Sequence, residues 1–273
     1  MCQYDVRRLF RMRLYVTIIM MVMMVSAQDL DDLLNTCIDS KHHKLKPGPE
    51  STLFEQCMPW KERSCCTDEV AEIIHTSSPY NFNFDHCNQK MSDKCRRHFM
   101  QDHCFYECSP NVGPWVVKEN RSWRKERFYQ VPLCWNDCQD WFNDCSTDLT
   151  CTDNWSINFN WKNTTVGCHG GAKTCRKNYC PSQSTCLTFK QIYKTAENFC
   201  EKVWDGSWKY STDKMCLQLW FNGSTGNPND VVTQHYAQQI ISTASVTTPH
   251  SPPIIMVPNP VYFSEKKLQN QDL

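Results

Sequence analysis

Short stretches of the chain place apolar residues at helical spacing. The stretch "DEVAEII" follows Thr67, a residue type that favours the position before a helix. In "SDKCRRHFMQDHCFYEC", Cys95, Phe99 and Tyr106 follow one another at spacings of four and seven residues, which predicts one buried helix face. Further helices are predicted at "PESTLFEQC" with a cap at Ser51 or Thr52, at "LCWNDCQDWFNDC", and from Val231 to Ile241.

Strand patterns are weaker than helix patterns in this sequence. The alternation of Phe82 and Phe84 with polar residues is the best strand candidate. Cysteines follow one another without a long gap from Cys37 to Cys216, so this span contains no linker. We therefore predict an α+β fold, a single compact, disulfide-rich globular domain of short helices, a few short strands and long loops.

The two ends of the chain differ from this domain. Four arginines at the start precede the apolar run Leu14 to Val25, which is followed by the small residues of "VSA". This order predicts a secretory signal peptide over residues 1–27, and the alternative is a tilted membrane anchor. The domain then covers residues 28–241, and repeated prolines and polar residues predict a disordered tail over residues 242–273.

Cysteine indicates the compartment. The chain has 19 cysteines, and 18 remain once Cys2 is removed with the signal peptide. An even number in a secreted chain predicts complete pairing into disulfides. Zinc is the competing interpretation, because Cys134 with Cys138, or His98 and His103 beside Cys104, have ligand-like spacing. No CxxC pair occurs, and an oxidising compartment removes the thiolates that zinc needs, so we predict no metal site.

Charge and short motifs narrow the function further. Without residues 1–27 the chain has 25 basic and 28 acidic residues, whereas a nucleic-acid-binding protein normally carries a clear basic excess. We therefore predict no nucleic-acid partner. Four Asn-x-Ser/Thr sequons agree with export and predict N-glycosylation at Asn120, Asn154, Asn163 and Asn222.

One carboxylate stands among residues that the pattern assigns to the interior. Asp102 lies three residues after Phe99 and four before Tyr106, so it shares their helix face. A buried charge without a partner costs on the order of several kcal/mol. The stretch "SWRKERF" supplies cations at Arg124 and Arg127, although such a charge run is also typical of a solvated turn. The tryptophans of "DNWSINFNW" and "VWDGSWKY" are likewise typical either of a site or of plain core.

Several long segments resemble one protein family. They are "KHHKLKPGPE", "EQCMPW", the adjacent Cys65 and Cys66, "RRHFMQDHCFYECSPNVGPW", "SWRKERF", "VPLCWNDCQDWF", and "LQLWFN" followed by "GNPN". In this order they resemble the folate receptor family, which also contains vertebrate riboflavin-binding proteins and an egg-surface sperm receptor. The resemblance covers about residues 33–238 and implies a domain around a deep ligand pocket.

The resemblance also implies a disulfide framework. The implied pairs are Cys37 with Cys65, Cys57 with Cys104, Cys66 with Cys108, Cys87 with Cys175, Cys95 with Cys145, Cys134 with Cys216, Cys138 with Cys200, and Cys151 with Cys168. Cys180 and Cys186 are left over in "NYCPSQSTCLTF", which looks like an insertion. We expect these two to pair with each other and to close a small extra loop.

Folate is the ligand that the resemblance implies, with no cofactor. Asp102 matches the family's aspartate that accepts hydrogen bonds from the pterin ring N–H and the 2-amino group, for which an ionised carboxylate is well suited. Arg124 and Arg127 match contacts to the ring carbonyl and would offset the charge of Asp102, and Ser207 matches a hydroxyl contact to the amino group. The aromatic residues assigned to the site are Tyr80, Tyr106, Trp123, Phe159, Trp161 and Trp204.

Some positions depart from the family pattern. Ser156, Asn158 and Phe159 stand where folate receptors have His, Gly and Trp, and Trp208 stands where a tyrosine is usual. These changes bear on the affinity and on the preference among folate forms.

The resulting hypothesis is high-affinity folate binding for transport or receptor-mediated uptake. The alternatives are a cell-recognition module for gamete adhesion and a riboflavin carrier on the same fold. An enzyme is not predicted, because we find no set of nucleophile, base and oxyanion donors that the disulfides leave free. The short run "IIMVPNPVYF" is interrupted by Pro258 and Pro260, so we do not predict membrane association. We predict a secreted protein, and attachment to the cell surface by a lipid anchor is the alternative.

Release of the ligand at acid pH is also implied by the resemblance. Protonation of Asp102 would oppose binding. We expect His86, His98 and His103 to gain charge over about pH 5 to 7 and to cause the first part of the fall in ligand affinity as the pH decreases.

Overall fold

A computed structural model describes residues 13, 15, 29–77, 79–122, 124–168 and 172–246. Apart from residues 13 and 15, the predicted signal peptide lies outside the described residues, as does the predicted tail beyond residue 246. The named α-helices are α1 (Asp68–Thr76), α2 (Asp93–Cys108), α3 (Trp135–Cys145), α4 (Phe189–Tyr193), α5 (Ala196–Val203) and α6 (Asn229–Val246). Short 3-10 helices lie at Glu55–Trp60, Pro79–Asn81, Gly113–Trp115 and Gly223–Thr225.

The strands are short and form four two-stranded sheets. They are β1 (Val116–Lys118), β2 (Glu126–Phe128), β3 (Val131–Cys134), β4 (Leu149–Thr150), β5 (Asn160–Thr164), β6 (Cys175–Tyr179), β7 (Leu187–Thr188) and β8 (Trp208–Ser211). The pairs β1–β2, β4–β7 and β5–β6 are antiparallel, whereas β3 and β8 are parallel. In the parallel pair Val131 lies opposite Trp208, and both are fully buried. This confirms the α+β class.

Helix α2 is the central element of the domain. Ser92 precedes it, and its hydroxyl accepts a hydrogen bond from the backbone N–H of Cys95 at 3.4 Å, which satisfies one of the free donors at a helix start. Cys95, Phe99 and Asp102 are buried, as the spacing predicted for this face, whereas Tyr106 is half-buried. Three disulfides join α2 to its surroundings, through Cys95–Cys145, Cys57–Cys104 and Cys66–Cys108. The backbone that carries Asp102 is thus held from several sides.

The core around α2 is largely aromatic. The rings of Phe99 and Trp155 are stacked with centroids 4.7 Å apart and planes within 9°. Trp141 meets Phe99 edge-on, with 5.0 Å between the ring centroids. Trp155, Trp141 and Trp208 are all almost fully buried, so several of the tryptophans do serve as core, which was one of the two interpretations of their abundance.

The helix predictions have mixed outcomes. Helix α1 begins after Thr67, whose hydroxyl accepts from the N–H of Val70 at 3.4 Å, and α2 and α3 are also confirmed. The helix expected at "PESTLFEQC" is instead a 3-10 helix that begins at Glu55, with no side-chain cap. Helix α6 is longer than predicted, so residues 242–246 are helical rather than tail. No proline or glycine occurs between residues 229 and 246 to end it earlier.

The strand predicted at Phe82 and Phe84 is wrong. No strand covers residues 82–84, although both rings are buried, with their centroids 4.8 Å apart. Tyr80 and Asn81 just before them have positive φ values of 58° and 55°. The backbone N–H of Asn83 donates to the Asn178 side chain at 2.6 Å rather than to a strand.

Nine disulfides join the cysteines of the described residues, and six of them are the implied pairs. The remaining three differ: Cys87 pairs with Cys186, Cys151 with Cys180, and Cys168 with Cys175. The expected pairs Cys87 with Cys175, Cys151 with Cys168 and Cys180 with Cys186 are therefore wrong. The sulfurs of the zinc alternative, Cys104, Cys134 and Cys138, are all engaged in disulfides.

The β5–β6 hairpin explains the three corrected disulfides. Its register sets Thr164 opposite Cys175, so the chain reverses between them and brings Cys168 next to Cys175, with Cα atoms 5.5 Å apart. Strand β6 then leads to Cys180, whose sulfur lies 4.0 Å from that of Cys186 in the neighbouring disulfide. The extra bridge thus closes the hairpin tip rather than the loop between residues 180 and 186.

We expect the double variant Cys168→Ser/Cys175→Ser to fold and to be secreted. A bridge between residues 7 positions apart contributes about 2 kcal/mol by loop entropy. As a comparison, Cys87→Ser/Cys186→Ser opens a bridge between residues 99 positions apart and should cost about 5 kcal/mol. Secreted yield and the midpoint of thermal unfolding measure both effects. Equal losses in the two variants would show that the tip bridge belongs to the main framework.

Candidate functional site

Asp102 lies in the interior with both carboxylate oxygens hydrogen-bonded. The indole N–H of Trp204 donates to Oδ2 at 2.8 Å, and that of Trp208 donates to Oδ1 at 2.9 Å. Only 4% of the Asp102 surface is exposed. Two neutral donors therefore meet the carboxylate that the sequence placed among apolar residues.

Burial controls the protonation of this carboxyl group. It raises the pKa of Asp102 to about 7, and the two indole hydrogen bonds oppose that rise because they stabilise the ionised form. His103 Nδ1 is 3.9 Å from Asp102 Oδ2, but it is also 2.7 Å from the carbonyl oxygen of Phe99, and burial lowers the pKa of His103. Asp102 is accordingly close to its titration midpoint near neutral pH.

A tight turn positions the two indoles. Trp204 follows the last residue of α5, and Trp208 begins β8. Between them Asp205 and Gly206 have positive φ values of 55° and 71°. A Cβ at Gly206 would come within 2.8 Å of the Tyr129 ring, so this turn requires glycine on two grounds. The turn brings Trp204 and Trp208, four residues apart, to the same carboxylate.

Ser207 lies in the same turn. Its hydroxyl donates to the carbonyl oxygen of Trp204 at 2.9 Å, and its backbone N–H bonds to the same carbonyl at 3.1 Å. The side chain therefore lies next to the Trp204 backbone, one residue before Trp208.

The two arginines of "SWRKERF" are paired with carboxylates other than Asp102. Arg124 forms an ion pair with Glu119, and its guanidinium is 3.4 Å from the hydroxyl of Tyr106. Arg127 donates to the carbonyl oxygen of Asp205 at 2.9 Å and lies 3.4 Å from its carboxylate. Each arginine is thus paired with a carboxylate, and the expectation that these cations offset the charge of Asp102 stays a prediction. Neither "SWRKERF" arginine is a simple solvated charge, because both are largely buried.

The aromatic residues assigned to the site divide into two groups. Tyr80 and Tyr106 lie near a second buried carboxylate, and the Tyr80 hydroxyl donates to Glu107 Oε1 at 2.8 Å. Tyr106 packs against the His43 ring at 5.4 Å. Burial raises the pKa of both tyrosines.

Phe159 and Trp161 belong to the second group, which Phe82 joins to the Asp102 region. Phe82 lies 5.7 Å from Phe159, 6.1 Å from Trp161 and 5.8 Å from Trp204, measured between ring centroids. Phe159 is buried, whereas Trp161 is half-buried. Trp123, the remaining aromatic residue assigned to the site, lies outside the described residues.

Two residues in this region were not identified from the sequence. Phe82 was assigned to a strand, and its alternation with Phe84 concealed its role as the link between aromatic rings. Trp208 was noticed only as a departure from the family pattern. Its position four residues after Trp204 was the available signal, but it indicates a shared partner only once the turn at Gly206 is known.

The histidines named for an acid switch are all sequestered. Burial lowers the pKa of His86, His98 and His103, and that of His86 falls to about 4. His98 Nε2 lies 3.0 Å from Asp144 Oδ2, and this contact only partly opposes the lowering. The expectation that these residues contribute the upper part of the fall in affinity over about pH 5 to 7 is therefore corrected for His86, whereas for His98 and His103 it stays a prediction.

The four sequons differ in exposure. Asn120, Asn163 and Asn222 are exposed. Asn154 is half-buried, and its side-chain amide donates to Asp205 Oδ1 at 2.9 Å. A glycan at Asn154 would have to displace this contact with the turn that carries Trp204 and Trp208.

Two open grooves of about 570 and 640 Å³ lie beside the loop around Asn222. Their lining includes Phe221 and Pro228 on one side, and Met58 and Trp220 on the other. Asp102 and its indole partners do not line either groove, so the deep pocket around Asp102 stays a prediction.

We expect Trp208→Phe to raise the pKa of Asp102 above 7. The substitution keeps an aromatic ring against Phe105 and Phe128, whose centroids lie 4.9 Å from that of Trp208, but removes one donor to the ionised carboxylate. A hydrogen bond to a charged group contributes about 1.5–3 kcal/mol, which corresponds to a rise of roughly 1–2 pKa units. Carboxyl 13C chemical shifts followed against pH measure it.

Trp141→Phe is the matched control for this experiment. Trp141 is fully buried, and its indole nitrogen has no hydrogen-bond partner among the described residues. The substitution Trp141→Phe therefore removes a similar ring volume without removing a hydrogen-bond donor to Asp102. An equal pKa of Asp102 in Trp208→Phe and Trp141→Phe would contradict the assigned role of Trp208.

The sequence is similar to a family of known proteins. The model of the folate receptor family matches residues 36–218. Human folate receptor gamma is 45% identical over 218 residues, which cover 78% of this chain and 84% of that protein. Human folate receptor alpha is 42% identical over 212 residues, or 76% of this chain and 77% of that protein.

A more distant relative is named for a different ligand. Chicken riboflavin-binding protein is 30% identical over 190 residues, which cover 67% of this chain and 71% of that protein. The family match and the folate receptor identities agree with each other over the domain that contains Asp102, Trp204 and Trp208, and the chain belongs to the folate receptor family.

Proposed function

We propose that the protein binds folate with high affinity and serves folate transport or receptor-mediated uptake. The observation that carries this proposal is the buried Asp102 carboxylate, held between Trp204 and Trp208 in a chain 42–45% identical to folate receptors over most of its length. Folate would be a ligand that is bound and released unchanged, neither a cofactor nor a substrate.

The chemistry of the carboxylate suits a pterin. An ionised carboxylate has about four acceptor positions on its two oxygens, and the indoles use one on each. One position per oxygen is then left for the two adjacent donors of a pterin, its ring N–H and its 2-amino group. Bidentate pairing of this kind is both strong and geometrically selective.

The surrounding residues would complete the site. Trp204 with Phe82, Phe159 and Trp161 provides flat apolar surfaces, on which a flat heterocycle and an aminobenzoyl ring can stack. Arg124, Arg127, Ser207 and Trp123 are proposed to contact the ligand at its polar edges, with Tyr80 and Tyr106 as further walls. A guanidinium has five N–H donors, so ion pairing with Glu119 or Asp205 is compatible with a contact to a ring carbonyl.

The proposed location is outside the cell. Nine disulfides are typical of proteins from oxidising compartments, and the exposed sequons at Asn120, Asn163 and Asn222 agree with export. Among the described helices, we find none that joins sufficient length to sufficient apolar character to span a bilayer. Secretion is proposed, and a lipid anchor at the cell surface is the alternative.

Isothermal calorimetry with folic acid, a reduced folate and riboflavin tests the proposal. We expect the two folates to bind and riboflavin to bind far more weakly. Riboflavin is the relevant competitor, because relatives at 28–30% identity are riboflavin-binding proteins. Tight riboflavin binding without folate binding would favour the carrier alternative, and binding of neither ligand would favour a cell-recognition module.

A further inference from the structure

The β5–β6 hairpin presents a basic face that the proposed folate site does not use. Its strands pair antiparallel from Asn160↔Tyr179 to Thr164↔Cys175, and Cys168–Cys175 closes the tip. Residues 160–179 contain Lys162, Lys173, Arg176 and Lys177 but no aspartate or glutamate. The hairpin is therefore locally basic in a chain whose basic and acidic residues balance, at 29 each.

One side of the hairpin is anchored to the domain. Trp161 lies opposite Asn178, and Asn178 is fully buried, with its side chain donating to the Asn83 carbonyl oxygen at 3.1 Å and accepting from the Asn83 N–H. Because side chains alternate along a strand, Lys162 and Lys177 lie on the opposite side, away from Trp161. The hairpin is thus held by one face and presents the other.

The outer face carries two like charges directly opposite each other. Lys162 pairs across the strands with Lys177, an arrangement that destabilises a hairpin. In the described part of the chain no carboxylate lies within 4.0 Å of either ammonium group. Lys162 is exposed, and the Lys177 ammonium lies against Gly167 at the hairpin turn, where a Cβ would approach it to 2.6 Å. The Lys162 ammonium lies beside Tyr179, whereas that of Lys177 lies beside Gly167, so an extended polyanion along this face would contact both.

We propose that the outer face of this hairpin, formed by Lys162, Lys177 and Tyr179, binds a sulfated polysaccharide. Ammonium groups pair with sulfate oxygens through charge-assisted hydrogen bonds. Tyr179 is 39% exposed, and its ring centroid lies 5.8 Å from the Lys162 ammonium. An exposed ring beside paired cations fits the apolar face of a sugar ring next to its sulfate groups.

One feature favours a polysaccharide over a membrane surface, and two others suit binding on this face. Interfacial membrane binding needs a broad apolar face beside the cations, whereas the strand positions around Lys162 and Lys177 on this face are Asn160, Thr164 and Tyr179. The sequon at Asn163 lies on the other face of the strand, opposite Arg176, so a glycan there would leave the Lys162 side open. The disulfide at the tip also constrains the conformation of the hairpin before binding, which lowers the entropic cost of association.

Binding to a size-defined heparin oligosaccharide tests the proposal, with the secreted chain immobilised and the salt concentration varied. We expect wild type to bind and Lys162→Gln/Lys177→Gln to lose about tenfold in affinity, with the slope of log affinity against log salt reduced by about 1 to 2 for the two lost cationic contacts. Lys190→Gln/Lys214→Gln is the matched control, because it removes the same charge from exposed lysines elsewhere and should bind like wild type.

Thermal unfolding confirms that each variant is folded, and vesicles of phosphatidylserine and phosphatidylcholine form a second arm. Equal heparin affinity for wild type and the Lys162→Gln/Lys177→Gln variant would overturn the proposal. So would a Lys162-dependent association with the vesicles in place of heparin, which would indicate a membrane surface. Folate binding is measured separately, and its presence or absence leaves these outcomes unaffected.

Discussion

Replacing Asp102 with asparagine is expected to weaken folate binding by about 2 to 4 kcal/mol, or roughly 30-fold to 1000-fold. Asparagine keeps one acceptor but turns the other into a donor, which must face either an indole N–H or a pterin donor. The group that faces it is then left without a partner in a buried site, at 4% exposure. Calorimetry with folic acid measures the loss.

The controls separate a lost contact from a lost fold. Asp144→Asn removes a carboxylate that pairs with His98 at 3.0 Å and contacts neither Trp204 nor Trp208, so it should bind folate like wild type. Arg124→Ala and Arg127→Ala are each expected to cost less than Asp102→Asn, because their charges are already paired with Glu119 and Asp205. Near-equal affinity of wild type and a folded Asp102→Asn protein would rule out the proposed pterin contact.

Folate affinity is expected to fall as the pH drops below about 7, through protonation of Asp102. The pKa of this carboxyl group is raised to about 7 by burial. The ionised form accepts the ligand donors, so the pKa in the complex lies lower and protonation competes with binding. Affinity is therefore full above the pKa of the unbound protein, and decreases by up to tenfold per pH unit until the pKa of the complex is reached.

Dissociation constants from pH 8 to pH 5 test this dependence. Asp102→Asn should bind weakly with a flat profile, since the titrating group is gone. The variant His86→Gln/His98→Gln/His103→Gln should keep the wild-type slope just below pH 7, because burial lowers the pKa of all three histidines. A wild-type profile that is flat from pH 8 to pH 5 would refute the acid-release mechanism. Loss of the pH dependence of folate affinity in the triple histidine variant would show that the histidines cause it.

The elements with local signals were predictable from the sequence. Ser92 and Thr67 mark helix starts by side-chain caps, and the spacing of Phe99, Asp102 and Tyr106 identified the helix face that carries the carboxylate. These features depend on neighbours within one or two turns. They therefore do not depend on how distant segments of the chain pack.

The features that failed depend on contacts between distant segments. Cys180 and Cys186 are 6 positions apart and Cys168 and Cys175 are 7, so sequence spacing does not separate the two pairs, whereas the register of β5 with β6 does. The turn at Gly206 brings Asp205 to Arg127, and no local pattern in the sequence indicates that ion pair. The same turn brings Trp208 to Asp102, and no periodicity in the sequence indicates that contact.

The most direct test of the proposed site combines the Asp102 variant with a ligand that lacks one donor. Affinities of folic acid and of its 2-desamino derivative are measured by calorimetry for wild type and for Asp102→Asn. If Asp102 accepts the 2-amino group, loss of that group should cost wild type about 1.5–3 kcal/mol and the variant much less. An equal loss in both proteins would contradict the assignment of Asp102 as the acceptor for the pterin.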